Sequence, residues 1–440
     1  MSFETAALGL TVLILLSTYA SAESGYIAGI DIGAEYEARV RAGIEHNRKS
    51  SARIEVVDAK NRKVVGAKVS VKQTSHDFLF GCAFPLWHEP PKRLGKDGWD
   101  NWNRYFTRLF NYTTSENSLK WGPIEPQEGV FRWEPVDFMI SWCRERNIKI
   151  KGHNLIWGLP KHGFPEWLEK YSPEEIAVRA RDHIRTLMSR CREDIRIWDV
   201  VNEPIHLHWF EEHWSPDYVL DSYKWARECD PDAVLVINEY AGFRGDADKF
   251  VPFVKNLLRK GAPIDAIGEQ AHDPPYWYSP KEIFDTLDKM ASTGLPIHLT
   301  ELTYPSNGAE ITGGFVKGKW DEDKQAEFYR YFVTLCFSHP KVEAITLWAM
   351  WDGSSWLKNG GIIREDWTPK PAYYALDDLI NNKWKTNFES YTDTNGEVRF
   401  RGFHGDYEVT VTTASGKTMK MTMHVAKDSN NVLRIEMPRY

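Results

Sequence analysis

Residues 195–204 read IRIWDVVNEP, an apolar run rich in β-branched residues that halts at Asn202, Glu203 and Pro204. Such a run, bounded by a helix-breaking proline, predicts a buried β-strand with a glutamate at its end. A second phrase, PIHLTEL at 296–302, repeats the pattern and carries Glu301.

Working outward from 195–204, short β-rich runs alternate with amphipathic stretches from about residue 76 to residue 380. The runs are FLFGCAF (78–84), FNYTTSEN (110–117), IKIKGHNLIW (148–157), IRIWDVVNE (195–203), AVLVINEY (233–240), IDAIGEQAH (264–272), PIHLTEL (296–302) and AITLWAM (344–350). Between them lie segments such as 173–191 and 323–337, whose apolar residues recur at three- and four-residue spacing, as on one face of a helix. Eight strand-then-helix units predict an α/β fold, a (β/α)8 TIM barrel, with functional groups at the C-terminal ends of the strands. The flanks differ. Residues 52–72 read as a hairpin turning at Asn61. After Asn395-Gly396, apolar residues alternate at Tyr407, Val409 and Val411, at Met419, Met421, Met423 and Val425, and at Leu433, Ile435 and Met437. Period-two alternation means strands with one buried face. The expected layout is a helix and β-hairpin segment over 23–75, a barrel over 76–383 and a β-rich module over 384–440. The hairpin and the C-terminal strands would form one small antiparallel sandwich, reached through a linker at Trp384-Lys385.

Two carboxylates at the ends of different strands are what glycoside hydrolysis needs, one to protonate the leaving oxygen and one to attack or activate water. A lone Asn-Glu or Thr-Glu carries little, since solvated glutamates far outnumber catalytic ones. Other phrases, however, fall at the same end of the predicted barrel. ENSLKW (116–121) brings Glu116, Asn117 and Lys120, and GHNLIW (152–157) brings His153 and Trp157. GEQAH (268–272) ends with Gln270 and His272 on one face of a strand. LWAMWDGSSW (347–356) contributes Trp348 and Trp356. Singly, His153 reads as a core histidine, Lys120 as a solvated charge and Trp348 as packing. Their joint appearance at the same end of a predicted barrel is much harder to obtain by accident.

Over roughly 76–380 the chain resembles glycoside hydrolase family 10, the endo-β-1,4-xylanases. The phrases that carry the resemblance are ENSLKW, GHNLIW, WDVVNEP, INEY (237–240), GEQAH, TELT (300–303), LW (347–348) and PKPAYYAL (369–376). The flanking β-segments resemble, more weakly, the extra region of multi-domain plant and animal relatives. The resemblance implies a retaining enzyme with Glu203 as acid/base and Glu301 as nucleophile. It implies that Asn202 bonds the sugar 2-hydroxyl, that Glu116, Asn117, Lys120, His153 and Gln270 hold glycone hydroxyls, and that Trp157, Trp348 and Trp356 wall them. His272 would hydrogen-bond Glu301. Three positions depart from the family pattern: Thr303 and Glu239 where Asp is usual, and Gly158 where His is usual. Alternatives are the same machinery acting on cellulose or mixed glucans, and a glycan-binding protein without catalysis.

The chain has 440 residues and a formal net charge of -7, mild for its length and spread out. Neither nucleic acid nor a membrane is therefore expected as partner, and a polysaccharide is. Nineteen Trp and nineteen Tyr supply flat faces for stacking on sugar rings. No metal-ligand spacing appears, so neither metal nor cofactor is expected, and the protein is expected to be a monomer. The five cysteines, Cys82, Cys143, Cys191, Cys229 and Cys336, read mostly as small buried hydrophobes. The apolar run Ala6–Leu16, followed by Ala20-Ser21-Ala22, reads as a secretory signal peptide cleaved after Ala22, although Glu4 stands where a basic residue is usual. In a secreted chain Asn111-Tyr112-Thr113 is a glycosylation sequon, close to a proposed strand.

Overall fold

A computed structural model describes residues 29–85 and 90–438; the expected signal peptide at 1–22 lies outside the described residues. After the helix Ala34–Arg48, the chain makes strands β1 (Lys49–Asp58) and β2 (Lys68–Gln73). The barrel strands follow: β3 (Leu79–Phe84), β4 (Tyr112–Ser115), β5 (Lys149–Trp157), β6 (Ile195–Asn202), β7 (Val234–Glu239), β8 (Ala266–Glu269), β9 (Ile297–Leu302) and β10 (Val342–Leu347). They pair in chain order, and β10 closes on β3, every pair parallel. Seven of the eight predicted runs contain one of these strands, and AITLWAM (344–350) overlaps the eighth, β10, which begins two residues earlier at Val342. Nearly every barrel-strand residue is buried because helices cover the outer face and side chains fill the inner one. The helix Pro173–Cys191 begins at Ser172 in a capping box with Glu175, and Pro280–Ala291 begins likewise at Ser279 with Glu282. Both boxes satisfy backbone N–H groups that a first helical turn leaves unpaired.

The chain ends in β11 (Asn387–Tyr391), β12 (Glu397–Phe403), β13 (Gly405–Thr412), β14 (Thr418–Val425) and β15 (Val432–Met437). With β1 and β2 these make two sheets, ordered β12-β1-β15 and β11-β2-β13-β14. A shared core of Ile54, Val56, Val69, Val71, Tyr407, Val409, Val411, Val425 and Ile435 lies between them. Residues 52–72 are therefore not a hairpin. A tight turn does form, with Asp58 N donating to Arg62 O and Asn61 at φ 62°. Beyond it the chain crosses to the facing sheet, so β1 and β2 each pair with C-terminal strands instead of each other. The β1–β15 pair is parallel, which makes that sheet mixed.

Trp384 is an anchor and not a linker. It is fully buried, stacked on Phe337 at 4.0 Å and on Phe80 at 5.8 Å. Arg48 joins the same seam by donating to the carbonyls of Phe337, His339 and Val342. The Asn111 side chain is committed to the backbone: Nδ2 donates to His76 O and Phe78 O, and Oδ1 accepts from Phe80 N. A glycan on Nδ2 would replace one of its two donated protons and so break at least one of these bonds. All five cysteines are free thiols.

Candidate active site

Past the end of β6, Glu203 takes a left-handed backbone conformation, φ 57°, a costly geometry for a non-glycine residue. The surroundings hold it: Glu203 N donates to Asn238 O at 2.8 Å, while His206 N and Leu207 N return to Glu203 O. The turn aims the side chain into the mouth of the barrel. There Oε2 accepts from Trp157 Nε1 at 2.8 Å and Oε1 from Gln270 Nε2 at 2.9 Å. Both carboxyl oxygens are thus fixed by neighbours from β5 and the loop after β8.

Glu301, on β9, is 5% exposed. Its Oε1 accepts from Asn238 Nδ2 at 2.9 Å. The same amide donates to Asn202 Oδ1 at 2.7 Å, and Asn238 Oδ1 accepts from Thr300 Oγ1 at 2.7 Å. Gly268, beside it on β8, has no room for a Cβ because the Asn238 amide fills the space. Burial pushes the Glu301 carboxyl above the usual carboxylate range and the charge of Glu203 adds to the rise; His153, Lys151 and Lys120 oppose it. The two glutamates therefore share one electrostatic site.

The floor and one wall come from β4 and β5. Glu116 and Asn117 are half-buried at the end of β4, and Lys120 is buried just beyond, where Asn117 O accepts its backbone N–H. The Lys120 ammonium sits 4.8 Å from the centre of the Trp157 ring, a cation–π contact. Burial lowers the Lys120 ammonium, opposed by Glu301, Glu116 and Glu203. Burial drives Glu116 up to about 8 despite the nearby Lys120, so it is largely a neutral acid at pH 7 and can donate as well as accept hydrogen bonds. His153 Nδ1 is bonded to Asp199 Oδ2 at 2.8 Å, and its ring meets Trp348 edge-on at 5.1 Å.

The opposite wall departs from expectation at His272. Its Nε2 lies 3.9 Å from Glu301 Oε2, too far for a hydrogen bond, and is bonded instead to Gln270 Oε1. Its Nδ1 is buried with no hydrogen-bond partner among the described residues. Burial lowers this imidazole below its ordinary value, opposed by Asp273 and Glu203. Thr303 does not back the ring; its hydroxyl donates to Glu301 O at 3.2 Å. Nor does Glu239, whose carboxylate accepts from Ile205 N and Tyr240 N and pairs with His206 Nδ1 at 2.7 Å. Trp356 meets His272 edge-on at 5.3 Å and is otherwise open, 53% exposed.

The structure thus gathers every residue singled out above at one end of the barrel. Asn238, Asp199 and Lys151 were not singled out, yet they orient the others. For Asn238 and Asp199 the signal was a polar residue within an apolar run, which is costly unless it is satisfied or functional; Lys151 had no such signal, because β5 also carries Lys149, His153 and Asn154.

Comparison with known proteins agrees with this geometry. The family described as Glycosyl hydrolase family 10 matches residues 74–379. Endo-1,4-beta-xylanase B of Thermotoga neapolitana is 33% identical over 297 residues, covering 63% of this chain and 83% of that protein. Anti-sigma-I factor RsgI6 of Acetivibrio thermocellus is 27% identical over 401 residues, covering 91% of this chain. The chain spans 50% of RsgI6 and 31% of endo-1,4-beta-xylanase 2 of Arabidopsis thaliana, so these relatives are far longer. Among solved structures, native xylanase 10B from Thermotoga maritima superposes with a TM-score of 0.60 at 28% identity, covering 70% of this chain and 96% of that one.

Proposed function

The chain belongs to glycosyl hydrolase family 10, and on that premise we propose that it is a secreted, retaining endo-β-1,4-xylanase acting on internal bonds of xylan. The observation that carries this reading is the pair of carboxylates, one just past β6 and one on β9, each held by its own donors: Trp157 and Gln270 on Glu203, Asn238 on Glu301. In the first step a Glu301 oxygen attacks the anomeric carbon while the Glu203 carboxyl gives its proton to the departing glycosidic oxygen. In the second, Glu203 takes a proton from water, which displaces Glu301 and returns the anomeric configuration to its starting hand. Asn202, which accepts a hydrogen bond from Asn238, would bond the 2-hydroxyl. The apolar run Ala6–Leu16 and Ala20-Ser21-Ala22 support export, and sequencing of the exported protein should begin at Glu23.

Xylose lacks the C5 hydroxymethyl of glucose, so bulky rings near C5 favour xylan. Trp348 is buried and fixed, but Trp356 is half open and can yield, which favours some turnover of cellulosic chains as a second activity. Discrimination for a group of this size is roughly 1–3 kcal/mol, or about 10–200-fold. The test is kcat/KM on matched xylo- and cello-oligosaccharides, with proton NMR of the first product. Preference for xylo-oligosaccharides with the β-anomer released first supports the reading. A ratio at or below unity makes the protein a glucanase, and the α-anomer first removes Glu301 as nucleophile.

A further inference from the structure

Beneath the two glutamates, the barrel interior holds an ion pair whose cost a structural role does not explain. Lys151 on β5 and Asp199 on β6 are both fully buried, with Nζ 2.7 Å from Oδ2. That same oxygen also receives His153 Nδ1 at 2.8 Å. Asp199 Oδ1 is buried without a hydrogen-bond partner among the described residues, and Lys151 Nζ, which has three protons to donate, has none there beyond its ion pair with Asp199. An under-satisfied buried pair of this kind is commonly no more stable than apolar residues of the same volume. A barrel selected for stability alone would place leucine or methionine here.

We propose that Lys151 is a positioning residue for the reaction assigned above: its buried ammonium clamps Asp199, through Asp199 fixes the ring of His153, and supplies positive charge beneath Glu301. The inference rests on Glu301 being the nucleophile. With Nδ1–H committed to Asp199, His153 presents Nε2 toward Asn154 Nδ2, 3.3 Å away, and the ring is held edge-on to Trp348. The groups around Glu301 are Glu116 and Lys120 after β4, Lys151 and His153 on β5, Glu203 after β6 and His272 after β8, with Asp199 behind Lys151 and His153. His298, on the same strand as Glu301, faces Lys151 and Asp199. Burial and Glu203 push the Glu301 carboxyl up; His153 and Lys151 act against them more strongly than Lys120 does. Without Lys151 the uncompensated charge of Asp199 would push it further in the same direction.

The test compares Lys151→Met and Lys151→Arg in the full chain by the pH dependence of kcat/KM. It adds the pH dependence of inactivation by an activated 2-deoxy-2-fluoroxyloside, which titrates the nucleophile itself. Lys151→Met should move the acidic limb of both profiles up by about one pH unit, the scale of a single nearby charge, while Lys151→Arg leaves both near wild type. If Lys151→Met does not fold, the double variant Lys151→Met/Asp199→Asn, which buries no lone charge, should show an upward move smaller than that of a lone lost cation, because the Asp199 charge is removed with it. Acidic limbs that stay in place in a folded variant, whatever its loss of activity or melting temperature, would overturn the proposal. Failure of the glycosidase reading would show separately, as an unaltered protein that hydrolyses no β-1,4-glycan.

Discussion

At the scale of single residues, Asn238 has the most to lose. Both protons of its amide are committed, to Asn202 and to Glu301, and its oxygen to Thr300. Asn238→Ala should lower kcat/KM roughly 10–150-fold, the worth of one hydrogen bond to a charged group at about 1.5–3 kcal/mol. Gly268→Ala should act in the same direction, because a Cβ there displaces the amide. Steady-state kinetics beside melting curves would check both; a fall in stability without a fall in kcat/KM would refute the role. Thr303→Asp probes His272, whose Nδ1 has no hydrogen-bond partner among the described residues. A carboxylate that reaches from position 303 to that ring would raise the imidazole, so it protonates at higher pH, and the new cation near Glu301 would favour the ionised Glu301 carboxylate. The acidic limb of the kcat/KM profile should therefore move to lower pH. Glu203 and Glu301 were legible in the sequence because each closes an apolar run at a strand end. Asn238, Asp199 and Lys151 were not, because no feature of a single strand tells which neighbouring side chain it reaches across the barrel.

At the scale of elements, periodicity identified strands but not their partners. Ile54 and Val56 alternate as cleanly as Val69 and Val71, and a real turn at Asn61 separates them, so a hairpin was the natural reading. The two strands face each other across a core instead of sharing hydrogen bonds, and alternation is identical in both cases. Trp384 misled for a related reason: a tryptophan followed by a polar stretch resembles a boundary until the stack with Phe80 and Phe337 is seen. A chain ending at residue 385 would leave Ile54, Val56, Val69 and Val71 without the strands that cover them. Such a protein should aggregate or melt well below the full chain, measured by light scattering and calorimetry. A truncated form that melts with the intact protein would show that the barrel does not depend on the module.

At the scale of the whole molecule, the barrel was legible because eight apolar runs at regular intervals leave few other solutions. Its acid sensitivity was not, since it depends on burial. His183, stacked on Trp121 at 4.3 Å, and His298, inside the barrel, are pushed by burial down to about 3 and about 4. Below their unfolded value near 6.5, the unfolded chain binds protons that the folded one refuses, so stability falls as pH falls. Each histidine should remove roughly 1.4 kcal/mol per pH unit between about 6.5 and 4. Denaturant melts at pH 7 and pH 5 would show the loss, and His183→Gln should flatten the slope. The pairing of β2 with β11 has a consequence for how the barrel closes. Gln73 N donates to Asn387 Oδ1 across 314 residues of chain, so this contact absorbs a loop-closure entropy of about 5 kcal/mol. Once it exists, β3 follows β2 after five residues and β10 precedes β11 by 39, so the final parallel seam closes a loop of tens of residues instead of hundreds.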